Sequence, residues 1–224
     1  MPYRRTPLVT DSYYHIFNRG IDRQPTFLTK RDYERAIQTL SYYRPATNSV
    51  KYSQFLKKPQ DEREEILTSI NRTGHQITII AFCLMPNHFH LLLKQNEEIG
   101  ISKFMANFQN SYVKYFNVKH KRTGSLFDRQ FKVVLVESEN QLLHLTRYIH
   151  LNPFSSHLIN RDGITTYPYT SLPEYLSGSY TLSDPNKVLD IYPKRYEKFI
   201  LDHADYQQRL ESLKHLTLES PENI

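Results

Sequence analysis

The spacing of apolar and polar residues predicts an alternation of strands and helices. Short runs rich in aromatic and β-branched residues, bounded by turn residues, are typical of strands. Longer stretches in which apolar residues recur every three or four positions are typical of helices. The pattern predicts the strand Asp11–Asn18, the helix Lys30–Tyr43, the hairpin strands Gln76–Cys83 and His88–Lys94, the helix Ser102–Val118 and the strand Phe131–Val136.

This order, βαββαβ, is that of a ferredoxin-like sheet, so we expect an α+β fold. An added helix is predicted over Glu139–Leu151, because Ser138 and Gln141 form the start of a capping box. Pro153 is expected to end that helix, since the residue before a proline is pushed away from helical geometry.

The composition changes after Pro153, where prolines are scattered among short polar segments. We therefore predict a boundary near Ser155, with a first domain over 1–155 and a small C-terminal helical appendage over 156–224. The charged stretch at about 46–75 is expected to be an insertion in the first domain. Predicted helices outside the sheet are Asp61–Asn71 in the insertion, and Lys187–Ile191 and Lys194–Leu213 in the appendage.

Length and composition narrow the class of protein. The chain has 224 residues, and its single cysteine, Cys83, excludes an intrachain disulfide or a cysteine-based zinc site within one chain. The apolar run Ile77–Met85 is far shorter than the roughly 20 residues of a membrane-spanning helix. The N-terminus leads into no apolar signal-peptide core, so we expect a cytoplasmic protein that does not associate with membranes.

Basic residues are concentrated in one segment. Lys and Arg number 29 against 23 Asp and Glu, a net charge of +6. Aromatic residues are interleaved with the basic ones, a mixture that suits single-stranded or distorted nucleic acid, because cations neutralise phosphates and rings stack on bases. The alternative is a solvated basic helix face over an apolar core stripe. Between 101 and 136 the charged residues are Lys103, Lys114, Lys119, Lys121, Arg122, Arg129 and Lys132, against Asp128 alone.

Two histidines begin the second strand of the predicted hairpin. His88 and His90 point to the same face, because side chains alternate along a strand. Two imidazoles on one face can hold one metal ion. A pair this short arises easily by chance, and the alternative is a pair of hydrogen-bonded sheet residues.

The added helix presents polar side chains on one face. His144, Tyr148 and Asn152 are four residues apart and therefore share that face, whereas His150 points away from it. Leu142, Leu145 and Ile149 form its apolar seam.

Taken with these motifs, the chain resembles the HUH (His-hydrophobic-His) single-tyrosine transposases, most of all the REP-associated tyrosine transposases. The resemblance runs from about Tyr14 to about Leu176, and its two signatures at this separation are together specific. It rests on Tyr14–Gly20, on Met85–Leu92 (Met-Pro-Asn-His-Phe-His-Leu-Leu), on Gly124–Phe127 and on Tyr148–Pro153 (Tyr-Ile-His-Leu-Asn-Pro).

The resemblance implies that Tyr148 cleaves one DNA strand, leaving a 5′-phosphotyrosine and a free 3′-OH that can later rejoin strands. A phenol is a weak nucleophile and needs help at the phosphate. A divalent ion, Mg²⁺ or Mn²⁺, held by His88 and His90 would polarise that phosphate. The family places a third, polar ligand one helical turn after the tyrosine, a position that Asn152 occupies here.

The implied partner is single-stranded or hairpin DNA, bound by a monomer or a homodimer. Family members commonly carry Gly-Arg-Tyr/Phe-Lys where this chain has Arg129-Gln130-Phe131-Lys132. The departure puts a phosphate contact there in doubt and leaves a loss of activity as an alternative. Candidate DNA contacts are Arg19, Arg23, Lys114, Lys121, Arg122, Arg129 and Lys132.

Other interpretations stay open at this level. Tyr112 or Tyr115 could be the nucleophile, with Tyr148 as a packing residue, and Asn152 could simply end the helix before Pro153. The chain could also be a non-cleaving nucleic-acid-binding regulator derived from a transposase, or a small-molecule metallohydrolase.

Overall fold

Four strands form one antiparallel sheet in the computed structural model, which describes residues 6–47, 50–128, 130–187 and 189–218. The strands are β1 (Tyr13–Arg19), β2 (Ile77–Met85), β3 (His88–Gln95) and β4 (Lys132–Val136). Their order in the sheet is β2-β3-β1-β4, so the chain has the predicted ferredoxin-like fold. The helices are α1 (Lys30–Tyr43), α2 (Tyr52–Phe55), α3 (Gln60–Asn71), α4 (Gly100–Lys119), α5 (Glu139–Ser155), α6 (Leu172–Ser177), α7 (Pro193–Leu201) and α8 (Ala204–Leu218).

Helices cover both faces of the sheet. On one face, α1 and α4 pack over buried side chains such as Phe89, Leu91 and Phe108. On the other face, α5 packs over Leu92 through Leu142 and Ile149. Because side chains alternate along β3, Phe89 and Leu91 point toward α4, whereas His90 and Leu92 point toward α5.

The hairpin that carries the histidine pair is tight and deeply buried. All nine residues of β2 are buried, and Met85 pairs with His88 across the two-residue connection Pro86-Asn87. β1 lies on the other side of β3 and pairs Phe17 with His90. The pair therefore lies at one end of a central strand, where its backbone is fixed by neighbours on both sides.

The insertion predicted at about 46–75 contains α2 and α3. α2 packs on α1 by the contact of Tyr52 and Phe55 with Tyr42. α3 confirms the helix predicted at Asp61–Asn71 and is largely exposed, with Ile70 as its buried residue.

The prediction that Pro153 ends the added helix at Leu151 is wrong. α5 continues through Pro153 to Ser155, and the carbonyl of Asn152 accepts a further bond from the Ser156 amide at 3.0 Å. A proline this close to the end of a helix removes only one hydrogen bond. Burial of the Phe154 side chain offsets that loss. Asn152 is thus inside the helix and does not terminate it.

The C-terminal helices also differ from the prediction. In place of a helix at Lys187–Ile191, the described residues form a short 3₁₀ helix at Pro185–Lys187 and then irregular chain. The long helix predicted at Lys194–Leu213 is two helices, α7 and α8, interrupted at Asp202 and His203. Tyr196 and Ile200 of α7 and Ala204 of α8 join one buried cluster with the end of α5.

The segment after α5 returns to the sheet. The Leu84 amide donates to the Tyr169 carbonyl at 2.8 Å, and the Ser171 amide donates to the Phe82 carbonyl at 3.0 Å, so residues 167–171 line the free edge of β2. The division of the chain near Ser155 stays a prediction. Among the helices described, none combines the length and the apolar character that a membrane crossing would need.

Candidate active site

The sheet, α5 and α8 bring a cluster of polar side chains together. His88 and His90 lie at the start of β3, and Tyr148 and Asn152 face them from α5 in the same chain. α8 is bonded to α5 beside the cluster, because the Gln207 side chain donates to the Tyr148 carbonyl at 3.1 Å.

Each histidine of the pair has one ring nitrogen engaged by a neighbour. His88 Nδ1 is 2.6 Å from Asn87 Oδ1, and His90 Nδ1 is 2.9 Å from His15 Nε2. The rings of His88 and His90 are 5.0 Å apart and nearly perpendicular. The Nε2 atoms are therefore the nitrogens that a shared ligand would use, in exchange for the contact that Asn152 makes with His88.

The two α5 residues complete the cluster. The half-buried ring of Tyr148 lies 5.7 Å from the His90 ring and 6.1 Å from the His15 ring, edge-on to both. The buried Asn152 side chain donates from Nδ2 to the Tyr148 carbonyl at 3.3 Å and is hydrogen-bonded to His88. The spacing of four residues on one helix thus brings the phenol to one histidine and the amide to the other.

The imidazoles are held neutral. The pKa of His88 is lowered to about 4, mainly by burial and also by the positive charge of Arg19, whereas Asn152 and Glu211 of α8 act in the opposite direction. Burial also lowers the pKa of His90 well below its usual range, helped by His15, His88 and Arg19. Neutral imidazoles are the form that binds metal ions.

The side chains at this site fit one divalent ion, which they would bind with modest affinity. Among the residues that the structure describes, no three or more His, Cys, Asp and Glu side chains are grouped so as to hold a metal. A cation here would therefore rest on two imidazoles, from His88 and His90, and on the amide oxygen of Asn152. An uncharged set of this kind leaves room for water or phosphate oxygens as further ligands.

The alternative nucleophiles lie elsewhere. Tyr112 is buried under the opposite face and donates to the Thr26 carbonyl at 2.6 Å. Tyr115 donates to Asp32 Oδ1 at 3.1 Å. Both hydroxyl groups are hydrogen-bonded within the layer of α1 and α4, on the face of the sheet opposite the histidine pair.

The two histidines of α5 are not part of the cluster. His144 is exposed and lies against the Phe199 ring at 5.7 Å. His150 is buried, with Nδ1 2.8 Å from the Tyr196 hydroxyl and Nε2 2.7 Å from Ser171 Oγ.

Predicted DNA contacts form two groups, and the first lies beside the histidine pair. Arg19 is exposed at the end of β1 and pairs with His88 in the sheet. The Arg23 carbonyl accepts a bond from Asn87 Nδ2 at 3.3 Å. Lys132 pairs with Phe17 across β1 and β4, and its ammonium is 5.9 Å from that ring.

The second group surrounds a cavity on the α4 side. Lys114 and Arg122 line a cavity of about 480 Å³, and Lys121 lies in the adjoining turn. Apolar and amide side chains also line the cavity, among them Phe127 and Asn117, and the buried Oδ1 of Asn117 has no hydrogen-bond partner. Arg129, also a predicted contact, lies outside the described residues.

Sequence reasoning missed the residues behind the pair. His15 lies within the matched stretch of β1, and Asn87 lies within the hairpin motif, yet neither was assigned a role. Alternation along β1 puts His15 and Phe17 on one face. What the sequence does not contain is the register that sets β1 beside β3.

Comparisons with known proteins give one family match and two similar solved structures. Residues 46–152 match the family model described as IS200-like transposase. The structure of a REP-associated tyrosine transposase bound to a REP hairpin is similar over 86% of this chain and 96% of that chain, with a TM-score of 0.54 and 14% identity. A candidate transposase from Deinococcus radiodurans R1 matches 66% of this chain and 95% of its own, at 14% identity and a TM-score of 0.35, too low to support an argument. No curated protein matches the sequence.

Proposed function

We propose that this chain, which matches the family model of the IS200-like transposases over residues 46–152, cleaves and rejoins single-stranded DNA. We expect the substrate to carry a hairpin, as the DNA bound to the REP-associated relative does. The reaction is metal-dependent and uses Tyr148 as nucleophile.

One observation carries this proposal. Tyr148 lies 5.7 Å from the His90 ring, ring to ring, within a single chain, and Asn152 reaches His88 from the same helix. This geometry supports a nucleophile that serves the histidine pair of its own chain, with all the proposed site residues in one copy.

The chemistry follows from these groups. The Tyr148 oxygen attacks the scissile phosphorus, a P–O bond to tyrosine forms, and the bond from phosphorus to the 3′ oxygen breaks. The phenol proton goes to solvent, and the departing 3′ oxygen takes up a proton to become a 3′-OH. Mg²⁺ or Mn²⁺ bound to His88, His90 and Asn152 would supply Lewis-acid polarisation of the phosphate. Rejoining is the same displacement in reverse.

The chain's cations would hold the substrate on either side of the site. Arg19 and Lys132 flank the pair and suit the phosphates next to the cleaved bond. Lys114 and Arg122 line the cavity on the opposite face of the sheet, where they suit the hairpin. Both assignments are proposals from position and charge.

The test is capture of the covalent intermediate. The full chain is incubated with hairpin oligonucleotides that carry randomised single-stranded flanks, in Mn²⁺ or Mg²⁺, and examined on a denaturing gel. We expect a protein–DNA adduct that Tyr148→Phe abolishes. Tyr115→Phe, which also removes one hydroxyl, is the matched control and should keep the adduct.

Three results would contradict the mechanism. An adduct formed by Tyr148→Phe would mean another nucleophile. Hairpin binding by the wild type with no adduct in either metal would favour the non-cleaving regulator. Turnover of a small phosphoester that high salt leaves unchanged would instead favour the metallohydrolase, because DNA binding weakens steeply with salt.

A further inference from the structure

We propose that His15 and Asn87 are positioning residues, which fix His90 and His88 with their Nε2 atoms toward the cation. This inference rests on the proposed function and deepens it, because it concerns how the same site holds its metal. Neither residue would touch the ion or the DNA.

The contact of His15 with His90 is the first part of the argument. His15 is only 8% exposed, and its Nε2 is 2.9 Å from His90 Nδ1. The two rings stack at 5.1 Å with an angle of 22°. His15 is also confined by the Phe17 ring at 4.9 Å, so it can turn little. A ring held this firmly fixes the orientation of the ring bonded to it.

This contact also decides which nitrogen of His90 can bind a cation. A neutral imidazole has one N–H and one lone pair. If His90 Nδ1 carries the proton and donates it to His15 Nε2, the lone pair of His90 is on Nε2. His15 then carries its own proton on Nδ1. A hydrogen bond of this kind behind a metal-binding histidine sets its tautomer and raises its basicity.

Asn87 does the same for His88, and here the direction of the bond is fixed. Asn87 Nδ2 donates to the Arg23 carbonyl at 3.3 Å, and a carbonyl only accepts. The amide oxygen of Asn87 therefore faces His88 Nδ1, at 2.6 Å, and accepts its proton. The lone pair of His88 is then on Nε2, as in His90.

The loop that follows β1 makes this possible. Arg23 has a positive φ of 57°, an uncommon conformation for a residue with a side chain. The amide of Gly20 donates to the Asn87 carbonyl at 2.8 Å, and the amide of Thr26 donates to the Pro86 carbonyl at 2.7 Å. These bonds tie the loop to the hairpin turn and place the Arg23 carbonyl against Asn87.

The test measures metal affinity directly, apart from activity. Mn²⁺ binding to the full chain is followed by electron paramagnetic resonance of the free ion, without DNA. We expect His15→Phe and Asn87→Ala each to weaken Mn²⁺ binding about 10- to 100-fold, the usual effect of losing such a partner. His15→Gln, whose amide oxygen can still accept, should recover part of the loss. Adduct formation by His15→Phe should be restored by raising Mn²⁺.

A control separates positioning from general stability. His150 is buried in the same helix layer and is hydrogen-bonded to Tyr196 and Ser171, away from the pair. His150→Phe should lower the melting temperature and change Mn²⁺ affinity far less than His15→Phe does. Asn87 lies in the hairpin turn and is only half-buried, so Asn87→Ala provides a second variant if His15→Phe folds poorly.

The outcomes distinguish this inference from the proposed function. Wild-type affinity for Mn²⁺ in both positioning variants would overturn the inference and leave the tyrosine mechanism standing. Absence of Mn²⁺ binding in the wild type, with no change in His88→Ala, would overturn the metal site itself. Equal losses in His150→Phe would mean that the effect is structural and would also overturn the inference.

Discussion

Asp32 is the clearest case of one residue that joins two elements. Its side chain is fully buried, and its carboxylate accepts bonds from Lys119 Nζ at 2.7 Å, Tyr115 at 3.1 Å and the Thr29 amide at 2.9 Å. It thus caps α1 and anchors the end of α4. Burial raises the pKa of Asp32, but the hydrogen bonds from Lys119, Thr29 and Tyr115 outweigh it, and the pKa is lowered overall.

We predict that Asp32→Asn is less stable by about 3 kcal/mol at about pH 7, because it leaves a lysine without its buried partner. The folded pKa lies below the unfolded value of about 3.9, so this stability is present above about pH 4 and is lost as the pH falls through the folded pKa. Urea unfolding of both proteins across this range should show the difference shrinking in acid.

The control for this measurement is Asp205→Asn. Asp205 is paired with Arg161 at 2.7 Å but is 64% exposed, so its loss should change stability by less than about 1 kcal/mol. A difference between Asp32→Asn and the wild type that stayed constant down to the acid limit would contradict the assigned role of the carboxylate.

At this same scale, the candidate site was only partly predictable. His88 and His90 follow from alternation along one strand, and Tyr148 and Asn152 follow from the helical period, because both patterns are local. His15 could not be placed, because its contact with His90 depends on the pairing of strands separated by 75 positions in sequence.

At the scale of elements, α5 is bonded to α7 by a series of buried hydrogen bonds. The Tyr196 hydroxyl of α7 lies 2.8 Å from His150 Nδ1 and donates to Thr146 Oγ1 at 2.8 Å. Both partners belong to α5. The C-terminal segment therefore fixes the helix that carries Tyr148, as well as covering the sheet.

Removal of the Tyr196 hydroxyl should lower the stability of the protein. Tyr196→Phe keeps the ring but removes one buried hydrogen-bond partner from each of His150 and Thr146, so it should cost about 1–3 kcal/mol in chemical denaturation. Tyr206→Phe on α8, where the ring is 64% exposed, should stay within about 0.5 kcal/mol of the wild type. Equal stability of Tyr196→Phe and Tyr206→Phe would show that the chain of hydrogen bonds contributes nothing.

The ends of elements were less predictable than their existence. α1 has the predicted bounds, because Thr29 and Asp32 form a capping box within the sequence itself. The end of α5 depends on burial of Phe154 against distant residues, which overrides the local signal of a proline. The break between α7 and α8 interrupts an apolar period that predicts one helix.

For the whole molecule, the surplus of basic residues is divided between two surfaces. One surface flanks the histidine pair through Arg19, Arg23 and Lys132, and the other surrounds the cavity through Lys114 and Arg122. The sequence predicted a single basic segment, and only the fold separates it, because α4 and β4 lie on different parts of the sheet.

We predict that the double variant Lys114→Ala/Arg122→Ala binds hairpin DNA about tenfold more weakly, with a salt dependence reduced by about 1–2 units of slope. Fluorescence anisotropy over a series of KCl concentrations, without metal, measures both quantities. Lys57→Ala/Lys194→Ala removes the same charge from exposed sites away from the cavity and should change both far less. Similar losses in the two double variants would mean that only net charge matters.

The strand at the end of the sheet opposite β4 carries one more consequence. β2 is nine residues long, carries no charged side chain and is polar only at Thr78. Its outer edge is hydrogen-bonded at Phe82 and Leu84 to residues 167–171, and at Ile79 to Asp184. An uncovered edge of this composition is a template for aggregation. The segment beyond Ser155 therefore also protects the protein against self-association. We expect that removing this segment would expose the outer edge of β2 and promote aggregation.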